Sequence, residues 1–340
     1  MSLLNKIKAA VRTKPLTLVF SEGDDERIIG AASELILDGL AKEITLIGDP
    51  AVIKSIAAKL GVKLNNIHFI DPNHNDLSEK FADRLVELQP KHYNKTSAME
   101  AVKHRLFFGA LFHETGMADL HITGAVETSA DVIRTFYQVL KKNRKEGVAT
   151  SFFMMYREKS EQLPEMVSFF ADCAVTIAPS PKYLARIVYQ IANIAQDIYN
   201  IKPKAALLTY STKGSGEGEP VDAIIETGQE LKKLNPSFEY DIELQADTAL
   251  SASVAQRKAP NSPIQGDANV IIFPDLSAGN IGYKLAEQFG GLSALGPVMV
   301  GLGKHASDLS RGCSKDDIIG TYAITAYYHL VKKEQISSKL

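Results

Sequence analysis

The 340-residue sequence contains only two cysteines, Cys173 and Cys313, which are far apart and form no C-x-x-C pair. A disulfide framework or a zinc ribbon is therefore not expected, and so low a cysteine content suits a reducing cytoplasm. The chain also lacks an excess of charge of one sign, with a formal net charge of −2 at pH 7. That balance gives no reason to expect nucleic acid or an anionic membrane as the main partner.

Long apolar runs are missing as well. No run approaches the roughly 18 apolar residues that a membrane span needs. Lys6, Lys8, Arg12 and Lys14 interrupt the N-terminus, which lacks the continuous apolar stretch of a signal peptide and is predicted as a short amphipathic helix. We therefore expect a cytoplasmic protein.

Several common catalytic motifs are absent. There is no H-E-x-x-H and no pair of histidines at metal-ligand spacing, so no metal site is expected. There is no Gly-x-Ser-x-Gly nucleophile elbow and no Walker A loop. A dehydrogenase is a remote alternative, because no Gly-x-Gly-x-x-Gly fingerprint follows a predicted strand.

The sequence does show short apolar runs that alternate with longer amphipathic segments. This order predicts an α/β fold with a mostly parallel sheet and helices on both faces. The predicted strands are Leu16–Phe20, Ile44–Ile47, Ile67–Ile70, Leu120–Thr123, Ala205–Tyr210, Ile242–Gln245, Val270–Phe273 and Pro297–Val300. The predicted helices are Asp25–Gly39, Ala51–Leu60, Leu77–Leu88, Ala130–Lys142, Lys182–Ile198, Val221–Leu234, Thr248–Arg257, Asn280–Phe289 and Asp316–Lys333.

Two regions depart from this alternation. Val148–Tyr156 and Met166–Val175 are neighbouring strand-like runs, which predicts an antiparallel pair. The charged stretch 141–147 reads either as a solvated helix end or as a crossing between domains. Two domains are expected, because 340 residues exceed the usual size of one hydrophobic core.

The strongest local signal is the loop Asp308–Asp317, just ahead of the last helix. Ser314 and Asp317 have the spacing of a capping box, which would be a purely structural role. The alternative is an anion site at a helix start, to which Ser310 would add a hydroxyl and Arg311 a guanidinium suited to phosphate. Cys313 is a weaker candidate for an acyl-accepting thiol, since a helix N-terminus can lower a thiol pKa.

Two further loops carry candidate donors for an anion. Tyr210–Gly216 follows a strand and offers glycine turns, hydroxyls and Lys213, although a polar surface turn would look the same. Thr123–Asp131 leads into a helix that carries Arg134 one turn in. Thr128 or Ser129 could cap that helix or bind phosphate.

These loops together resemble the phosphate acetyltransferase (phosphotransacetylase) family of acyltransferases. The similarity covers nearly the whole chain and is densest after residue 200. The motifs that carry it are Val19–Gly23 with Arg27, Tyr210–Ser215, Glu243–Asp247, Lys258–Pro263, Ala268–Leu276, Gly279–Lys284 and Asp308–Ser314.

The resemblance implies two three-layer α/β/α domains with mostly parallel sheets and an active-site cleft between them. The first domain would comprise residues 1–145 and 304–340, completed by the C-terminal helix, and the second would comprise residues 146–303. It also implies a homodimer that acts on small molecules.

The implied reaction is acetyl-CoA plus phosphate giving acetyl phosphate plus CoA, with no metal and no tightly bound cofactor, and with coenzyme A as a substrate. By position in the family motifs, Asp317 would be the general base, Ser310 would stabilise the oxyanion and Arg311 would bind phosphate. The remaining implied phosphate ligands are Arg134, Thr128, Ser129, Ser211, Thr212, Lys213, Gly214 and Ser215. The implied CoA ligands are Arg134, Ser310, Arg311, Asn280 and Lys284.

The sequence also departs from the family pattern. Glu127 stands where the family usually has histidine, Thr135 replaces a proline and Gln288 replaces an arginine; an arginine often found near residues 85–91 is not evident. Two alternatives stay open. One is an enzyme of the same mechanism that prefers propionyl or butyryl groups, and the other is a non-catalytic domain that senses acyl-CoA.

Overall fold

The computed structural model of this chain describes residues 1–140 and 147–337. The chain divides into two compact units: unit 1 is Met1–Asn143 with Leu302–Leu340, and unit 2 is Arg144–Gly301. Residues 141–146, which hold most of the charged stretch predicted as a helix end or a crossing, lie outside the described residues.

Unit 1 is built on five parallel strands. They are β1 (Leu16–Phe20), β2 (Ala41–Ile47), β3 (Ile67–Ile70), β4 (Leu120–Thr123) and β11 (Ala306–Asp308). Their order is β3-β2-β1-β4-β11, and every neighbouring pair is parallel. Leu18, Val19 and Phe20 are all fully buried. Because successive side chains of a strand point to opposite faces, both faces of this sheet are covered.

Two sets of helices cover these strands. The helices of unit 1 are α1 (Leu3–Thr13), α2 (Glu26–Leu37), α3 (Pro50–Leu60), α4 (Ser78–Leu88), α5 (Lys95–Ala101), α6 (Arg105–Glu114), α7 (Ser129–Val139) and α13 (Lys315–Ser337). In one set α2 and α13 pack together, with α1 against α13; in the other, α6 packs against α4 and α7. The sequence did not predict α5, α6 or β11. Nearly every residue of α6 from Leu106 to His113 is buried, so its sequence has no polar face to mark it as a helix.

Unit 2 contains a mixed sheet. Its strands are β5 (Thr150–Arg157), β6 (Met166–Ala171), β7 (Lys204–Leu208), β8 (Glu239–Leu244), β9 (Val270–Ile272) and β10 (Ser293–Val300). The order is β10-β5-β6-β9-β7-β8. The β10–β5 and β5–β6 pairs are antiparallel, which confirms the predicted antiparallel pair, and the other three pairs are parallel.

The helices of unit 2 are α8 (Pro181–Asp197), α9 (Glu219–Lys233), α10 (Ala246–Leu250), α11 (Ala252–Lys258) and α12 (Leu276–Gly290). The single helix predicted over Thr248–Arg257 was wrong. Ser251 has an extended backbone (φ −132°, ψ 116°), which separates α10 from α11. The predicted fold class, α/β with a mostly parallel sheet, is confirmed. Within the described residues, no helix has the length and apolar character to cross a membrane.

Candidate active site

In unit 1 the strand order decides which loops meet. β1, β4 and β11 are parallel neighbours, so the loops after their carboxyl ends lie at the same edge of the sheet. Those loops are 21–25, 124–128 and 309–314. The edge therefore gathers six of the predicted site residues: Thr128, Ser129, Arg134, Ser310, Arg311 and Asp317.

The capping box at the start of α13 is present. Oδ2 of Asp317 accepts the Ser314 N–H at 2.9 Å and the Ser314 hydroxyl at 2.7 Å. In return, the Asp317 N–H donates to Ser314 Oγ at 3.2 Å. Asp317 thus has the structural role that its spacing predicts. Oδ1 of the same carboxylate accepts no hydrogen bond from the described residues, so one oxygen is left for chemistry.

Arg311 differs from the other arginines at this edge. It is exposed, and its guanidinium forms no hydrogen bond or ion pair with the described residues. By contrast, Arg134 pairs with Asp131 at 2.7 Å, and Arg105 contacts both Asp24 and Glu127. The neighbouring Ser310 Oγ accepts the Gly312 N–H at 3.3 Å. Among the arginines described at this edge, Arg311 is therefore the one whose guanidinium donors can bind an anion without first breaking an ion pair.

Arg27 fastens this loop to the rest of unit 1. Its Nη1 donates to the carbonyl oxygens of Arg311 at 2.7 Å and Cys313 at 3.0 Å. Its Nη2 donates to the Ala125 carbonyl at 2.7 Å and to Asp25, which Nε also contacts. One guanidinium thus joins three loops, and its donors are used for structure.

Glu22 plays the corresponding part for the loop after β4. Its fully buried carboxylate accepts four consecutive backbone N–H groups, from residues 124 to 127, at 2.8 to 2.9 Å. These amides are therefore held by an internal anion and are not available to a ligand.

Thr128 caps α7, as the structural interpretation of this loop predicted. Its Oγ1 accepts the Asp131 N–H at 3.2 Å and donates to the Asp131 carboxylate at 2.7 Å. Asp131 also holds Arg134, which remains exposed. A phosphate bound at the start of α7 would have to share Arg134 with Asp131.

Asp308 ends β11 directly beneath these loops and is fully buried. Burial, with a smaller contribution from the charge of Glu22, raises the pKa of its carboxyl to about 7, although the Ser129 hydroxyl and the Leu309 N–H oppose the rise. Oδ1 accepts the Leu309 N–H at 3.0 Å, whereas Oδ2 has no partner with hydrogen-bond geometry in the described part of the chain. Gly124 (φ +106°) lies so close that a Cβ there would be 2.0 Å from Oδ1.

Cys313 is buried and lacks the lowered pKa that a reactive thiol needs. The sequence allowed a lowered pKa at a helix start, but burial raises the pKa of this thiol to about 12 despite the nearby Arg27. A thiol that stays protonated is a poor nucleophile. Cys313 is therefore a packing residue in this structure.

In unit 2, the loop predicted to cradle phosphate is satisfied by its own acceptors. The Ser211 hydroxyl and the Gly214 N–H both donate to Glu243, at 2.7 and 2.5 Å. The Thr212 N–H donates to Ser215 Oγ at 2.9 Å. The Lys213 ammonium donates to Asp241 at 2.5 Å. The Ser211 hydroxyl and the Thr212 and Gly214 N–H groups could therefore bind an anion only by replacing these acceptors. The exposed Lys213 ammonium has three N–H donors, one more than its contacts with Asp241 and the Ile242 carbonyl use.

The two predicted CoA ligands of unit 2 lie one turn apart on α12. Asn280 Nδ2 donates to the Cys173 carbonyl at 3.4 Å. The Lys284 ammonium lies 4.9 Å from the centroid of the Tyr283 ring, within range of a cation–π interaction.

Sequence reasoning missed the groups that organise the unit 1 edge. In the sequence, Glu22 and Arg27 stand out only as parts of a family motif, and no local pattern marks Arg105. Arg105 Nε lies 3.2 Å from Glu127, and its Nη1 lies 2.8 Å from Asp24. The available signal was position: Glu22 is the second residue after the buried strand β1, where α/β proteins place their ligand loops.

The fold and this edge define an α/β enzyme, and comparison with known proteins places it among the acyltransferases. The pattern of the phosphate acetyl/butaryl transferase family matches residues 2–326. The chain belongs to that family, which confirms the predicted resemblance.

Individual relatives agree over nearly their whole lengths. The chain is 39% identical to a phosphate acetyltransferase of Corynebacterium glutamicum, over 95% of this chain and 96% of that protein. It is 37% identical to a phosphate acetyltransferase of Thermoanaerobacterium thermosaccharolyticum, over 96% of this chain and 99% of that protein. A solved phosphotransacetylase from Streptococcus pyogenes matches with a TM-score of 0.85 and 35% identity, covering 97% of this chain and 99% of that one.

Proposed function

We propose that this enzyme transfers acetyl reversibly between coenzyme A and inorganic phosphate, converting acetyl-CoA and phosphate to acetyl phosphate and CoA. The observation that carries the proposal is that Ser310, Arg311 and Asp317 lie in one loop and helix start, where the Arg311 guanidinium and Oδ1 of Asp317 make no hydrogen bond with the described residues. The names of the relatives support the same reaction.

Each of the three groups has a separate task. In the direction of acetyl-CoA synthesis, the CoA thiol attacks the carbonyl carbon of acetyl phosphate while Oδ1 of Asp317 takes the thiol proton. The carbonyl oxygen gains negative charge, which the Ser310 hydroxyl stabilises by donating a hydrogen bond. The tetrahedral species then collapses, and the C–O bond to phosphate breaks. Arg311 holds the departing phosphate through charge-assisted hydrogen bonds.

The other predicted ligands have supporting tasks in this proposal. The proposed phosphate ligands are Arg134, Thr128 and Ser129 in unit 1 and Ser211–Ser215 in unit 2. The proposed CoA ligands are Arg134, Ser310 and Arg311 in unit 1 and Asn280 and Lys284 in unit 2. Coenzyme A enters as a substrate, and each step uses only side chains and the two substrates.

The test is a thiol-release assay with acetyl-CoA, run with and without phosphate. We expect free CoA to appear only when phosphate is present. Binding of acetyl-CoA without phosphate-dependent thiol release would instead support a sensing domain. A parallel series with propionyl-CoA and butyryl-CoA decides the acyl group, and a clear preference for butyryl-CoA would defeat the acetyl assignment.

We also propose a cytoplasmic homodimer. The free, buried cysteines Cys173 and Cys313 are consistent with a reducing compartment.

The dimer is supported by a row of exposed apolar residues four apart on α12: Ile281, Leu285 and Phe289, which are 58%, 50% and 89% exposed. Such a row is suited to a second copy of the same helix face. Light scattering should give twice the chain mass, and Phe289→Asp should shift the enzyme toward monomer; a monomeric wild type would contradict the proposal.

A further inference from the structure

The carboxylate of Glu22 is an anion that the protein supplies to one of its own loops. Oε2 accepts the N–H groups of Gly124 and Ala125, at 2.8 and 2.9 Å. Oε1 accepts those of Val126 and Glu127, at 2.9 and 2.8 Å. Four successive amides therefore converge on one buried side chain that comes from the loop after the neighbouring strand.

Such a convergence would not persist without an anion. Successive backbone N–H groups aimed at one point create a positive concavity, and unpaired buried amides are costly. In other proteins a bound ligand often fills such a concavity. Here Glu22 fills it permanently, so the shape of the loop does not depend on a ligand.

The loop held in this way leads directly to proposed phosphate ligands. Residues 124–127 run into Thr128 and Ser129, and Arg27 ties the Ala125 carbonyl to the Arg311 carbonyl, at 2.7 Å each. The position of Glu22 thus governs where two hydroxyls stand relative to Arg311.

We infer that Glu22 is a positioning residue for the phosphate site: by binding the amides of residues 124–127 it holds Thr128 and Ser129 where phosphate is bound. The inference rests on the proposed function. It predicts a selective effect on phosphate, whereas a merely structural role predicts a loss of stability with unchanged substrate binding.

Asp119 provides a matched control in the same unit. Its Oδ2 accepts the Thr17 N–H at 3.0 Å and the Thr17 hydroxyl at 2.8 Å. It therefore joins β4 to β1 as Glu22 does, but at the amino ends of these strands, where none of the proposed site residues lies.

The experiment compares Glu22→Gln with Asp119→Asn by steady-state kinetics and thermal unfolding. In Glu22→Gln the side-chain NH2, a donor, would face backbone N–H groups that are donors too, so the loop would lose part of its hydrogen bonding. We therefore expect the KM for phosphate to rise about tenfold or more and the KM for acetyl-CoA to stay within about threefold of wild type. Asp119→Asn should lower Tm but leave both constants within about twofold. A folded Glu22→Gln enzyme with the wild-type KM for phosphate would overturn the inference, as would equal changes in both variants.

Glu22→Asp is the second variant, because it keeps the buried charge and shortens its reach by one methylene. We expect amide hydrogen exchange at residues 124–127 to accelerate about tenfold or more in this variant and to stay unchanged in Asp119→Asn. Unchanged exchange in Glu22→Asp would refute the role of Glu22 in holding the loop. If wild-type enzyme releases no thiol with phosphate, the proposed function fails, while the exchange experiment still decides what Glu22 does.

Discussion

The buried carboxyl of Asp308 makes the stability of this protein depend on pH in a direction that can be worked out. Its ordinary pKa of 3.8 is raised to about 7 in the folded protein, chiefly by burial. Between these values the unfolded chain ionises Asp308 while the folded protein keeps it protonated. The protonated Asp308 carboxyl therefore makes its full contribution to the free energy of unfolding below about pH 4. This contribution is lost as the pH rises through about 7.

The perturbation that tests this is Asp308→Asn. Asparagine keeps an oxygen for the Leu309 N–H but cannot ionise. Each pKa unit corresponds to about 1.4 kcal/mol. Between pH 4 and pH 7.5 the free energy of unfolding of the variant should therefore rise by about 4 kcal/mol relative to that of wild type. For a chain of this size that is roughly 5 to 10 °C in Tm.

The assay is the difference in Tm between variant and wild type, measured by circular dichroism from pH 4 to pH 8.5. Titrations shared by both proteins cancel in this difference. Asp119→Asn is the control of opposite sign: burial opposes it, but the N–H and hydroxyl of Thr17 hold the pKa of Asp119 below its usual value. A carboxyl with a lowered pKa changes stability only below its ordinary value of 3.8, so the difference for Asp119→Asn should stay nearly flat from pH 4 to pH 8.5. A difference for Asp308→Asn that stays flat or falls with pH would refute the reasoning.

Three further predictions concern the site, and a fourth concerns the buried His113 of α6. Arg311→Ala should raise the KM for phosphate by about 10- to 100-fold, because charge-assisted hydrogen bonds are lost; an unchanged constant would exclude Arg311 as the phosphate ligand. Asp317→Asn keeps the capping oxygen, so Tm should change little while turnover falls about 100-fold or more; nearly normal turnover would leave Asp317 with the cap alone. Cys313→Ala should keep turnover within about twofold, since its thiol has a pKa of about 12, and a large loss would point to covalent catalysis. Burial lowers the pKa of His113 to about 4, so the protein should lose stability as the pH falls from about 6.5 toward 4, when only the unfolded chain takes up the proton. His113→Gln should make that limb of the Tm profile shallower without removing it, because burial also lowers the pKa values of His121, His305 and His329.

The sequence by itself determined the features whose cause is local. Buried strands such as Leu16–Phe20 leave an apolar run, and amphipathic helices leave a period of 3.6 residues, so the α/β fold was predictable. The capping box of Ser314 and Asp317 was also predictable, because its two members are three residues apart. Where local periodicity was missing, as in the almost entirely buried α6, the prediction failed.

Only the tertiary structure decided which distant groups meet. Glu22 binds amides more than a hundred residues further along the chain, and Arg27 binds the Arg311 carbonyl 284 residues away. Both contacts exist because β1, β4 and β11 lie side by side, an order that no local pattern records. Burial set by the same packing raised the pKa of Asp308 to about 7 and that of Cys313 to about 12, since removing a carboxyl or a thiol from water disfavours its charged form.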